Sequence, residues 1–170
     1  MCLILLLGGD GDYITIFMNF IVNNIEETLN IGEQIGNLCS SGDIICVVGD
    51  LGVGKTHLSK GIAKGLGIKE HITSPTFTIV NEYDSGRLKL YHFDVYRVND
   101  PDEIYELGFD EYIFDNAVSV IEWADYIKAL IPKEHLRIVL SKLNDLGEDV
   151  RNIEIISNGD RYNYIKEIKI

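Results

Sequence analysis

One octet constrains this chain more than any other segment: Gly49-Asp50-Leu51-Gly52-Val53-Gly54-Lys55-Thr56. It follows an unbroken apolar run, Ile44-Ile45-Cys46-Val47-Val48. Such a run marks a strand covered on both faces, hence a central parallel strand. After the octet, Leu58, Ile62 and Leu66 recur every fourth position, which predicts a helix ending at Gly65 or Gly67. Strand, glycine-rich turn and helix, with G-x4-G-K-T at the turn, make a phosphate-binding loop. Gly52 and Gly54 let the backbone wrap so that successive N–H groups face phosphate oxygens. The helix N-terminus adds its positive end. Leu51, Gly52, Val53, Gly54, Lys55, Thr56 and the backbone of His57 are therefore the expected nucleotide contacts. Lys55 reaches the β- and γ-phosphates, and the Thr56 hydroxyl can ligate Mg²⁺. The His57 side chain is expected at the surface.

Charge sharpens this reading. The 170 residues carry a formal net charge of −12. Residues 1–50 contain no Lys or Arg, so the first cation of the chain is Lys55. A surface this acidic excludes a wide grip on a phosphate backbone. Arg97 is the only cation between Lys89 and Lys128. It reads equally as an internal arginine finger or as a partner for nearby acids. A hydrophobic fraction of 46% excludes a disordered chain. Three cysteines without CxxC spacing read as buried or spare thiols. Four scattered histidines give no zinc pattern.

The apolar stretch from Leu3 to Leu7 is too short to span a bilayer, and no basic residue precedes it as in a signal peptide. No membrane association is expected, and the expected location is cytoplasmic. Residues 1–17 read as an extension outside the functional core, of the kind a misplaced start codon produces. Residues 18–170 then form one domain.

Within it, Ile25, Leu29, Gly32, Ile35 and Cys39 form a helical stripe, capped by Asn23 or Asn24. Phe77 to Tyr83 and Arg87 to Asp94 read as strands of a hairpin around Asp84-Ser85-Gly86. Residues 101–108 suit a helix, and 118–123, 136–140 and 153–156 suit strands. The expected fold is α/β, a three-layer P-loop NTPase fold whose mixed central sheet contains an antiparallel hairpin. Ligands of such sheets sit beyond the carboxyl ends of the strands. Asp94 and Glu122 both end strands there, although either alone also suits a solvated acid. Ser74-Pro75-Thr76-Phe77 reads as a nucleotide-sensing switch or as an ordinary turn.

Several segments together resemble the TsaE (YjeE) family: the octet, Ser74-Pro75-Thr76-Phe77-Thr78, Tyr91-His92-Phe93-Asp94-Val95-Tyr96-Arg97, Glu106-Leu107-Gly108, Glu111-Tyr112 and Ile121-Glu122-Trp123. Their order and spacing cover about residues 20–156. The resemblance implies a small Mg²⁺-dependent ATPase of bacterial tRNA threonylcarbamoyladenosine synthesis. It implies TsaD and TsaB as partners, with ATP hydrolysis resetting their complex and tRNA met only through them. By position it puts Thr56 and Glu122 on Mg²⁺ and Asp94 beside Lys55 in the hydrolytic site. It puts Ser74, Pro75 and Thr76 in a switch, with Arg97 and Trp123 as switch or partner residues. Thr28 falls near the base end of the nucleotide, and Arg151 at a late basic position. The departures are His57, the unmatched residues 1–17 and a short tail. A small-molecule kinase on the same fold is the alternative, but it needs clustered arginines, and the five here are scattered. A GTPase lacks its Asn-Lys-x-Asp element, and a non-catalytic switch would need neither Asp94 nor Glu122.

Overall fold

The computed structural model describes residues 3–8 and 14–169. Its centre is one mixed sheet of eight strands. In chain order these are β1 (Leu3–Gly8), β2 (Ile14–Val22), β3 (Ile44–Gly49), β4 (Val80–Tyr83), β5 (Lys89–Asp94), β6 (Ala117–Glu122), β7 (His135–Lys142) and β8 (Arg151–Asn158). Their spatial order is β1-β2-β8-β7-β3-β6-β5-β4. β7, β3, β6 and β5 run parallel. The β4–β5 hairpin closes one edge, and β8, β2 and β1 add antiparallel strands at the other. The parallel centre and antiparallel hairpin agree with the sequence reading.

Alternation along the strands divides the core in two. Ile45, Val47, Leu90, Val118 and Val120 face α1 (Ile25–Leu38) and α2 (Lys55–Gly65). Ile44, Cys46, Val48, Tyr91, Phe93 and Ile121 face the other layer. That layer holds α3 (Pro101–Glu106), α4 (Phe109–Ile113) and a 3-10 segment over Ala124–Leu130. Cys39 and Cys46 are free and buried, and burial pushes both thiols up to about 12.

The helical stripe differs from the expected one. Thr28, Ile31, Gly32, Ile35 and Gly36 are buried, whereas Ile25 is half exposed. The cause is close helix contact through glycine. A Cβ on Gly32 or Gly36 would overlap the carbonyls of Leu58 or Ile62, and one on Gly61 or Gly65 would overlap those of Leu29 or Glu33. The two helices therefore touch backbone to backbone. Asn24 caps α1 by accepting from the Glu27 N–H, while Glu27 reaches back to the Asn23 N–H. This fixes the start of α1, where Thr28 and the glycine-rich loop line one hollow.

The strand expected from Phe77 is shorter. The Thr78 and Ile79 N–H groups both donate to the Pro75 carbonyl, and Ile79 takes a left-handed φ of 68°. That turn delays β4 to Val80. In the stretch read as an extension, Met1, Cys2 and residues 9–13 lie outside the described residues. The rest forms β1 and the first part of β2, where Ile16 is fully buried and donates its N–H to the Ser157 hydroxyl. The tail after β8 folds back, and the buried Tyr162 hydroxyl accepts the Ile44 N–H.

Candidate functional site

The site lies beyond the carboxyl ends of β3, β5 and β6. The loop needs its glycines: Gly49, Gly52 and Gly54 have φ of 142°, 70° and 114°. Among the described residues no atom lies within 4 Å of a Cβ added at Gly52 or Gly54, so the loop borders open space that a side chain would fill. Lys55 opens α2 and turns back, donating to the carbonyls of Gly49 and Asp50 at 2.7 and 2.8 Å. Its ammonium also lies 3.5 Å from the centre of the Trp123 ring. Burial lowers the Lys55 pKa, against the opposing pull of Glu122, Asp94 and Asp50.

Glu122 ends β6 and is 2% exposed. Thr56 donates to its Oε2 at 3.0 Å, and Ser59 donates to its Oε1 at 2.8 Å. His92 Nε2 meets the same Oε1 at 2.8 Å. Asp94 is the register partner of Glu122 on the neighbouring strand. Its Oδ2 accepts from Ser74 and Thr76 at 2.8 and 2.7 Å, and its Oδ1 accepts the Tyr96 N–H at 3.0 Å. Trp123 follows Glu122 in a left-handed conformation and packs against Tyr96, with ring centres 4.6 Å apart, and Tyr126, at 5.7 Å.

One cleft of about 310 Å³ gathers Leu51, Gly52, Gly54, Lys55, Thr56, His57, Ser74, Thr76, Asp94, Glu122 and Trp123. A smaller hollow of about 150 Å³ lies on the other side of the loop and gathers Thr28, Val53, His57 and Arg151. Gly52, Gly54 and His57 line both. His57, expected at the surface, is half-buried between them. Arg151 donates from Nε to the Val53 carbonyl at 3.0 Å, so β8 braces the loop. Pro75 is buried under the Ser74–Thr76 turn.

Among the described residues Arg97 makes no ion pair with the acids near it, and its guanidinium lies 4.4 Å from the ring centre of the exposed Phe77. The other arginines are committed elsewhere: Arg87 to carbonyls ending α1, Arg137 to Asp125 and Arg161 to Asp43. Sequence reasoning missed His92, Ser59 and Tyr96. His92 lies two residues before Asp94 on the same strand face, and Ser59 one helical turn after Lys55. Those spacings were the available signal.

Residues 22–153 match the family model described as threonylcarbamoyl adenosine biosynthesis protein TsaE. The chain belongs to the TsaE family. A Bacillus subtilis relative named as the tRNA threonylcarbamoyladenosine biosynthesis protein TsaE is 44% identical over 144 residues, 85% of this chain and 88% of that protein. A Treponema pallidum relative of the same name is 37% identical, over 78% of this chain and 98% of its own length. The crystal structure of YdiB from Bacillus subtilis superposes with a TM-score of 0.78 at 37% identity, covering 92% of this chain and 95% of that one. The P-loop fold expected from the octet is thus the fold of a TsaE-family neighbour.

Proposed function

We propose that this chain hydrolyses ATP with Mg²⁺ in the cytoplasm, as a step of tRNA threonylcarbamoyladenosine biosynthesis. Hydrolysis resets a TsaD–TsaB complex between turnovers, and tRNA is handled by those partners. The meeting of Lys55, Thr56, Asp94 and Glu122 in one cleft carries this reading.

The donor set suits Mg²⁺. The Thr56 hydroxyl and Glu122 carboxylate are hard oxygen donors 3.0 Å apart. Among the described residues no group of three or more His, Cys, Asp and Glu forms a metal cage. That fits an ion held by one or two protein oxygens together with nucleotide phosphates. Thr56 and Glu122 would hold the ion, which would supply charge neutralisation at the phosphates. Lys55, now held on carbonyls and an aromatic face, exchanges those weak contacts for phosphate oxygens. Asp94 orients the attacking water and accepts its proton.

The Ser74-Pro75-Thr76 turn is tied to Asp94 by two hydroxyls, so it senses what Asp94 contacts. Thr28 and Arg151 line the smaller hollow, and in this reading the base end of the nucleotide lies near Thr28. Trp123 at the cleft, and Arg97 on the exposed Phe77, are the residues we assign to contact with the partners. The kinase alternative loses support because four of the five arginines are bound to carbonyls or carboxylates and Arg97 lies on an aromatic ring. No helix among the described residues is long and apolar enough to cross a membrane. Phosphate release, measured with and without the TsaD–TsaB pair, tests the proposal. The expected result is Mg²⁺-dependent release that the pair stimulates. Phosphate appearing only on a small acceptor, with none released to water, would overturn it.

A further inference from the structure

His92 is fully buried, yet among the described residues only one of its ring nitrogens has a partner. Nε2 meets Glu122 Oε1 at 2.8 Å, and Nδ1 has no hydrogen bond. A buried polar atom without a partner costs free energy, and an apolar side chain there would avoid that cost. The imidazole is therefore best explained by what Nε2 does. Since an ionised carboxylate only accepts, Nε2 carries the proton and donates.

Ser59 approaches the same oxygen from α2. Its single hydroxyl hydrogen has two acceptors in reach, the Lys55 carbonyl at 3.2 Å and Glu122 Oε1 at 2.8 Å. The shorter, charge-assisted bond is the stronger. Oε1 thus receives two donors from two different elements, β5 and α2. Oε2 receives one, from Thr56. Glu122 and Thr56 line the cleft, whereas His92 and Ser59 lie behind them. A carboxylate held at one oxygen by two donors is restrained about its last torsion, which keeps its other oxygen beside the Thr56 hydroxyl at the cleft.

The geometry points to His92 and Ser59 as positioning residues: a buried clamp on Glu122 Oε1 that fixes Oε2, beside Thr56, as a ready-made ligand for the divalent cation of the nucleotide complex. This rests on the ATPase reading above. Outer partners that orient a metal-binding carboxylate are worth roughly 10–100-fold in metal affinity. The clamp is long-range, joining residues 30 and 63 positions from Glu122. It ties the cation site to the packing of β5 and α2 against β6.

The test is Mn²⁺ binding to the full chain loaded with a non-hydrolysable ATP analogue, read by electron paramagnetic resonance. Metal-free analogue binding in EDTA is read in parallel by the fluorescence of Trp123, the only tryptophan. His92→Leu should weaken Mn²⁺ binding about tenfold and leave metal-free affinity within about twofold. His92→Gln places an amide N–H near the Nε2 position and should restore most of the loss. Ser59→Ala should give a smaller loss in the same direction. Unchanged Mn²⁺ affinity in His92→Leu and Ser59→Ala would overturn the inference. So would an equal fall in metal-free affinity, or failure of His92→Gln to rescue. If His92→Leu does not fold, Ser59→Ala and His92→Gln decide by the same criteria. A wild-type chain that takes up no Mn²⁺ with nucleotide removes the ATPase reading and the inference with it. Wild-type uptake matched by every variant removes the inference alone.

Discussion

Asp94 and Glu122 are register partners at the ends of adjacent parallel strands, and both are almost fully buried. Their surroundings differ in kind. Glu122 is held by His92, Ser59 and Thr56, which belong to a strand and a helix that pack into the core. Asp94 Oδ2 is held by Ser74 and Thr76, which belong to an exposed turn, while its Oδ1 accepts the Tyr96 N–H. Core elements cannot shift without breaking close packing, whereas a turn can exchange its hydroxyl contacts for water or phosphate. Two carboxylates delivered by the same sheet thus suit different work. In the proposed function one serves as a fixed ligand, and the other as a group whose restraint can be released. The αL conformation of Ile79, costly for a β-branched residue, lies at the end of that same turn.

Removing what both carboxylates serve should have the largest effect. Lys55→Ala deletes the ammonium that now lies on the Gly49 and Asp50 carbonyls, and ATP affinity by equilibrium dialysis should fall by about a hundredfold or more. Breaking the fixed side comes next. Glu122→Ala should cut Mg²⁺-dependent phosphate release by about a hundredfold, with metal-free ATP binding nearly unchanged. Intact hydrolysis would remove Glu122 from the metal. Breaking the releasable side should look different. Asp94→Asn keeps the shape and should lower turnover by about 10²–10³ while Mg²⁺-supported ATP binding persists. The smallest effect sharpens the contrast. Ser74→Ala with Thr76→Ala frees Asp94 Oδ2, leaving Oδ1 on the Tyr96 N–H, and costs roughly 1–3 kcal/mol of stability, seen as a lower Tm. Turnover with the partner pair should change only a few-fold, and a loss as large as that of Asp94→Asn would mean the turn is not releasable.

The loop, β3, β6 and α2 were legible because their signals are local: an octet, an apolar run and a period. β2 was not. Its buried set, Ile16, Met18, Phe20 and Val22, alternates as a strand should, but Phe17 and Ile21 between them are also apolar and hide the alternation. The contact face of α1 was displaced for another reason. Glycines pack by what they lack, so Gly32 and Gly36 mark a helix contact only once Gly61 and Gly65 are seen opposite. The family motifs located Asp94, Glu122 and the 74–76 turn, and the fold gathers them around one cleft. What no local pattern carries is the difference between the two acids. It depends on which distant residues reach them: the spacings of His92 from Asp94 and of Ser59 from Lys55 mark a shared face but not the meeting of both side chains on Glu122.

The contrast between a fixed and a releasable carboxylate is tested most directly by the Mg²⁺ dependence of ATP affinity, followed through Trp123 fluorescence in Glu122→Gln and Asp94→Asn side by side. The account predicts that Glu122→Gln binds ATP equally with and without Mg²⁺, while Asp94→Asn keeps the wild-type gain. A gain retained in Glu122→Gln and lost in Asp94→Asn would contradict it.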